Sequence, residues 1–492
     1  MHKGEGRAVS QELAIALAFG SSAAVMVLEL VSLRLVAPYI GLTLETNTAV
    51  IGVALAAIAA GAALGGRFAD LVPPHRTLGP LFLLGGALVM LVLPVVRWTG
   101  EALRGSANDL VFVVLAITLF APAALLAAVT PMVTKLRLAT LEQTGTVVGR
   151  LSAYATVGGI FGTVLTGFVF VATVPISTIV LVLGGVLVVV GAVLTILLRG
   201  TRAAVKPVAL AIIGATLTLV SPRPCEVETA YHCARVAADP NREGGRTLYL
   251  DQLRHSYVDL DDPTHLEFEY IKSYAAAING SRPERQPVDA LHIGGGGMTM
   301  TRYLTATRPG SKHRVYEIDR AVVELDKREL GVQTGPDLDV RVKDGRIGVR
   351  DEATDSWEVV LMDAFSGVSV PWHLTTRELV ADVRRVLRPG GIYLINVIDH
   401  GEAKFAKAEI KTVQAEFEHV AVIARKNEFT GESGGNFVVV ASDRPIAVPG
   451  IAAKLEPNME IRDQLDDFVG DAPILTDDYA PVDQLLTPYG SS

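Results

Sequence analysis

Seven apolar stretches, each near the length that crosses a bilayer, fill the first ~220 residues of this chain and restrict what it can fold into. A hydrocarbon core about 30 Å thick needs roughly 20 apolar residues of helix. The stretches fall at about 13–36, 49–69, 78–96, 110–129, 151–172, 178–198 and 204–220, and the last is the shortest. The first carries Glu29 and Arg34, lacks a small-residue cleavage site and is followed by further spans, so it reads as a retained span rather than a signal peptide. With 50% hydrophobic residues in 492 and a mean hydropathy of +0.38, the chain is too apolar for a soluble protein, and the excess lies in this first part. The expected organisation is a multi-pass α-helical membrane domain over 1–221, a linker over 222–245 and an α/β domain over 246–492.

Basic residues near the span ends predict the threading. Lys3, Arg7, Arg67, Arg76, Lys135, Arg137, Arg150, Arg199, Arg202 and Lys206 fall on one side, against Arg97 and Arg104 on the other. The amino terminus is therefore expected in the cytoplasm and, after an odd number of spans, the carboxy-terminal domain outside. The chain's two cysteines, Cys225 and Cys233, follow the last span closely. In an oxidising compartment such a pair reads as a disulfide, the alternative being two reduced thiols. His232 adds one possible ligand but no fourth is near, so no metal site is expected.

Inside the membrane part, Glu29 and Arg34 are ionisable groups at a depth where such groups are costly. Gly61 and Gly65, and Gly158 and Gly162, have the spacing that lets helices pack closely. The more polar stretch from Thr130 to Arg150 is read as lying along the interface. A net charge of −8 without a basic run argues against a nucleic-acid partner. The expected partners are membrane lipids and a small-molecule substrate, and a homo-oligomer is compatible with both.

Beyond residue 245 the pattern becomes strand-like at 246–250 and 256–260, then helix-like at 264–279. An apolar strand over 288–293 runs into Gly294-Gly295-Gly296-Gly297 and a helix, an arrangement that brings backbone amides close to a ligand. The next strand ends near Glu317 and Asp319, a third precedes Asp344-Gly345, a fourth ends at Asp363, and Leu387-Arg388-Pro389-Gly390-Gly391 opens a fifth. In a parallel sheet these strand ends present Gly294, Gly295, Gly296, Glu317, Asp344 and Asp363 to one crevice.

These motifs resemble the spermidine synthase family, polyamine aminopropyltransferases with the Rossmann-like class I methyltransferase fold and a small amino-terminal β module. The resemblance covers about 245–440, and the segments 33–39 and 476–482 are similar to variants fused to a multi-span domain. It implies that Gly294, Gly295 and Gly296 hold the methionine-derived chain of decarboxylated S-adenosylmethionine, Glu317 the ribose, Asp344 the adenine amine, and that Asp363 accepts the proton of the attacking amine. Glu267 and Tyr270 fit the family's Asp-Glu-Phe-x-Tyr segment.

The chain departs from the family in four places. Gly297-Met298 replaces the acid after the glycines, Ser366-Gly367 a second acid after the fourth strand, His255 a glutamine, and Ile271 a histidine. His255, Tyr257, Glu267, His373 and Tyr479 lie on segments that border the crevice in the family, and Arg254 suits a carboxylate or phosphate. The implied activity is that of a membrane-anchored aminopropyltransferase-like enzyme. An extracytoplasmic enzyme of the same fold using no S-adenosyl cofactor on an envelope substrate, and a ligand sensor or transport module, remain as alternatives.

Overall fold

The computed structural model describes residues 10–41, 44–103, 108–138, 144–199, 205–365, 367 and 369–486. Lys3, Arg7, Arg104, Arg202 and Ser366 lie outside the described residues. The chain divides into two compact units between Cys233 and Ala234.

In the first unit, six helices among the described residues are long and apolar enough to cross a membrane: Gln11–Ile40, Thr46–Leu71, Leu78–Ala102, Ala116–Arg137, Thr144–Thr173 and Ile176–Leu197. The expected seventh is the helix Val205–Val220, whose 16 residues make it the shortest. At 1.5 Å per residue it is about 24 Å long, below the hydrocarbon thickness. One expectation is corrected. Thr130–Arg137 continues the fourth of these helices and Thr144–Arg150 begins the fifth, so 130–150 is no single interfacial segment. Pro131 permits this because it sits in the first turn of Val129–Arg137, where a missing N–H costs little.

Small residues set the helix contacts. A Cβ on Gly158 would stand 2.2 Å from the Phe19 carbonyl oxygen and one on Gly162 2.6 Å from that of Ala23. Gly61 approaches Ala124 and Gly65 approaches Ala128 in the same way. These helices touch backbone to backbone, as small residues four apart allow.

The end of the unit is tied down by charge. Arg97, buried near the end of its helix, donates to Glu228 Oε1 and Ser221 Oγ, both at 3.3 Å. Glu228 Oε2 accepts from the Ser177 N–H at 2.9 Å and its hydroxyl at 3.0 Å. Arg34 donates to the carbonyls of Tyr231 and Thr229, at the end of its helix rather than deep within it. A Cys225–Cys233 disulfide with a Cα separation of 5.0 Å closes the intervening loop. Residues 222–245, read above as a linker, thus contain this loop, strand β1 (Val227–Glu228) and strand β2 (Cys233–Ala238), and the unit boundary falls within them. Glu228→Ala leaves a buried guanidinium without its carboxylate, and is expected to destabilise the first unit by about 3 kcal/mol. Thermal unfolding of the purified full chain checks this, with Ser221→Ala as a milder control.

The second unit begins with an antiparallel sheet of β2, β3 (Gly245–Leu250) and β4 (Leu253–Asp259). Strands β3 and β4 pair Leu248 with Ser256 but Tyr249 with Arg254, leaving His255 as an extra, bulged residue. The remaining strands are β5 (Asp289–Ile293), β6 (Lys312–Glu317), β7 (Leu338–Val342), β8 (Trp357–Met362), β9 (Leu387–Asp399), β10 (His419–Arg425), β11 (Gly435–Ser442) and β12 (Met459–Arg462). They form one sheet in the order β12-β10-β11-β9-β8-β5-β6-β7. Strands β5 to β9 are mutually parallel, while β10, β11 and β12 complete the other edge antiparallel. Strands 290–293, 359–362 and 392–397 are nearly continuous apolar runs because helices cover both faces. The chain leaves β5 toward β6 on one side and returns to β8 on the other, so a crevice opens at the carboxyl ends of β5 and β8.

Candidate functional site

At that switch point the backbone closes tightly before any side chain is considered. The Asp363 N–H donates to the Ile293 carbonyl and the Gly294 N–H to the Tyr316 carbonyl, both at 2.9 Å. Gly294 has φ +97°, and a Cβ there would lie 2.2 Å from the Asp363 carbonyl oxygen. Only glycine fits both the dihedral and the space. The loop is then held by carboxylates: the Gly295 N–H donates to Glu317 Oε2 and the Gly297 N–H to Asp326 Oδ2, each at 2.9 Å. Glu317 Oε1 accepts a further N–H, from Asp319 at 2.8 Å, so its carboxylate is fixed at the end of β6. Met298 takes a left-handed conformation, φ +48°, that non-glycine residues hold only under constraint.

Asp363 is the centre of the polar site. Its Oδ2 accepts the Tyr270 hydroxyl at 2.9 Å and its Oδ1 the Asn396 amide at 3.0 Å. Asn396 is itself oriented by the Asn436 amide, 2.8 Å from its Oδ1. Tyr274 donates to the Met362 carbonyl at 2.8 Å and packs edge-on against Tyr270. Burial raises the Asp363 carboxyl above its ordinary range, opposed by the hydrogen bonds from Asn396 and Tyr270. The same burial, with the neighbouring Asp363 charge, pushes the Tyr270 phenol well above its usual value, which keeps it a donor.

A narrow pocket runs from Asp363 under the glycine loop. Its lining includes His255, Ser256, Tyr270, Tyr274, His292, Gly294, Gly295, Gly296, Met298 and Asp363. A β-bulge explains why both His255 and Ser256 face it, since the extra residue breaks the strand's alternation.

The structure therefore brings together Gly294, Gly295, Gly296, His255, Tyr270 and Asp363, with Glu317 bonded to the loop from beside the pocket. Tyr257 is not among them. Its side chain points the other way from the bulged strand and donates to Asp239 Oδ2 at 2.8 Å, and burial with that carboxylate pushes its phenol up to about 12. Glu267 is exposed and pairs with His265 at 3.3 Å and Arg254 at 4.0 Å, while Arg254 lies over the Phe268 ring. Neither lines the pocket, because solvent offers both charges a cheaper environment. Tyr479 is 57% exposed on the bridge Thr476–Tyr479. Asp344 caps the helix Gly345–Asp351 with one oxygen, 3.0 Å from the Ile347 N–H, and meets His373 Nε2 at 3.0 Å with the other. Asp344 follows β7 and His373 lies on the short helical turn Trp372–Leu374, and neither lines the pocket.

Sequence reasoning missed Ser256, Tyr274, Asp326 and Asn396. Asp326 carried a signal: it falls on the apolar stripe Val322, Val323, Leu325 of its helix and is fully buried. Asn396 interrupts the buried strand Leu394–Val397, and a polar residue there calls for a partner.

Comparison with known proteins bears on this geometry. No family model matches the chain. It is 27% identical over 158 residues to a polyamine aminopropyltransferase of Vibrio vulnificus, covering 30% of this chain and 51% of that protein. It is 31% identical, also over 158 residues and with the same coverage, to one from Pyrobaculum aerophilum. The chain is related to the polyamine aminopropyltransferases. It spans about half the length of these curated aminopropyltransferases. Among solved structures, a probable spermidine synthase from Corynebacterium glutamicum aligns at 27% identity over 53% of this chain and 98% of its own, with a TM-score of 0.48.

Proposed function

We propose that the second unit is a transferase that binds an S-adenosyl-derived nucleoside along the glycine loop and uses Asp363 as general base. The observation that carries this is the Asp363 carboxylate, raised by burial, aimed into the pocket beside the loop and held by Tyr270 and Asn396. Glu317 and Asp344, at the ends of adjacent strands, have the acceptor chemistry for ribose hydroxyls and an adenine amine. Each Glu317 oxygen takes one N–H, which fixes the carboxylate at the end of its strand beside the loop. By the family resemblance, the donor would be decarboxylated S-adenosylmethionine.

In the proposed reaction the acceptor nitrogen attacks the carbon bonded to sulfonium. A C–N bond forms, the C–S bond breaks with its electron pair going to sulfur, and the proton lost from nitrogen passes to Asp363. The sulfur leaves as the neutral thioether methylthioadenosine. Tyr270 and Asn396 hold the receiving carboxylate in one orientation.

Calorimetric titration of methylthioadenosine into the purified full chain tests the binding reading. Micromolar binding that Glu317→Gln weakens about tenfold supports it, and no binding removes it. The acid limb of the rate profile should lie above the ordinary carboxylate range, because Asp363 must be ionised to take a proton. Tyr270→Phe deletes a bond that stabilises the ionised form, and is expected to move that limb to higher pH. An unchanged limb in this variant would detach Tyr270 from the base.

We further propose that the six apolar helices, with Val205–Val220 as a seventh span, anchor the chain in a membrane with the second unit on the face opposite the amino terminus. Support comes from the basic residues Arg67, Arg76, Lys135, Arg137 and Arg150 at one set of helix ends, whereas Arg97 at the other set is paired with Glu228. The Cys225–Cys233 disulfide favours a second reading, an extracytoplasmic enzyme of this fold working on an envelope substrate without an S-adenosyl cofactor. Reporters fused after Ser492, one active only outside and one only in the cytoplasm, separate the two. A cytoplasmic signal removes both the opposite-face placement and the second reading, and an outside signal with no methylthioadenosine binding removes the first.

A further inference from the structure

We infer that the nucleophile accepted in this pocket carries at most one ammonium group and presents a neutral polar group, such as a hydroxyl, at its far end. The inference rests on the reading of the pocket as an acceptor site. Among the described residues that line it, Asp363 is the one carboxylate. A single carboxylate can neutralise a single ammonium. A second ammonium carried deeper would meet Met298, the Tyr274 ring and His292, which burial and the adjacent His313 push well below its usual pKa and so keep neutral. An ammonium buried without a counter-charge is penalised by several kcal/mol, so a diamine would have to leave one end in solvent.

The loop offers no room for another acid. At position 297 the backbone has φ +72° and a Cβ would stand 1.9 Å from Ser256 Oγ. Glu317 and Asp326, the two acids bonded to the loop, each hold one of its N–H groups, of Gly295 and Gly297, and neither is among the residues that line the pocket. The carboxylates Glu267 and Glu269 are engaged outside, with Arg254 and His265 in one case and Arg425 in the other.

What the pocket does offer is a hydroxyl. Ser256 Oγ lines it, the residue is only 5% exposed, and this oxygen has no hydrogen-bond partner. A buried hydroxyl with both donor and acceptor capacity unused is complementary to a neutral group that can do either. An ammonium could only donate to it and would bring an unbalanced charge.

The test is calorimetry on the purified full chain saturated with methylthioadenosine, titrated with 4-amino-1-butanol, butylamine or 1,4-diaminobutane. The amino alcohol is expected to bind at least about tenfold more tightly than the diamine. Ser256→Ala should remove most of its advantage over butylamine, about three- to tenfold. Equal or tighter binding of the diamine overturns the inference, as does a failure of all three to bind. If methylthioadenosine itself does not bind, the reading of the whole site fails first, which is a different result from a diamine preference in a site that holds the nucleoside. A Ser256→Ala chain that weakens the amino alcohol and butylamine alike would remove Ser256 from the far-end contact and overturn that part of the inference.

Discussion

Asp363→Asn is expected to lower the transfer rate by about 10²–10⁴-fold while leaving methylthioadenosine affinity within about threefold of the parent. Asparagine keeps the shape and can still bond Tyr270 and Asn396, but it cannot take a proton at neutral pH. The same variant carries an opposite expectation for stability. Burial raises the folded-state pKa of Asp363, so the stability supplied by its neutral form is full below the ordinary carboxylate range and is lost as pH rises through the raised value. At pH 7 the ionised carboxylate is therefore a cost to the fold, and the asparagine chain should melt no lower than the parent. Loss of rate with retained or higher melting temperature assigns Asp363 to chemistry. Retained turnover would take it out of the mechanism.

Gly294→Ala should destabilise the second unit by about 3–5 kcal/mol, combining left-handed strain with forced overpacking. The added Cβ would meet the Asp363 carbonyl oxygen at 2.2 Å and its carbon at 2.7 Å, and both are backbone atoms with no rotamer to give way. The end of β8 must shift, and the Asp363 carboxylate shifts with it. A fall of about 6 °C or more in the melting of the second unit is the expected reading, together with lost nucleoside binding. Gly367→Ala separates the two causes. Gly367 also has positive φ, +72°, but open space around its Cβ position, so its loss should reflect backbone strain alone, about 1 kcal/mol. Equal effects at both positions would mean that the contact between β5 and β8 is not tight.

How much could be read ahead of the structure differs between particular residues. The glycine run, Glu317, Asp344 and Asp363 were legible because each sits where a short strand stops, a local signal. Their shared position at one end of the sheet followed from parallel-strand geometry. Tyr270 was reached through its resemblance to a family segment, and the structure joins it to Asp363 across 93 residues of sequence. Tyr257, Glu267 and Tyr479 lie on similar segments, yet none lines the pocket. For Tyr257 the reason is one bulged residue at His255, which reverses the faces of the strand after it.

Hydrophobic segment length and strand-end chemistry are local properties, written in consecutive residues. They determined the long apolar helices of the first unit, the α/β second unit and the loop acids, because span length and side-chain period leave few alternatives. Whether an acid is buried, which oxygen has a partner and which face a residue presents depend on atoms brought from far along the chain. Tertiary structure alone placed Asn396 and Tyr270 on Asp363, put Asp326 behind the loop and left Ser256 unpartnered in the pocket. Those are consequences of packing and desolvation, which act through space rather than along the sequence.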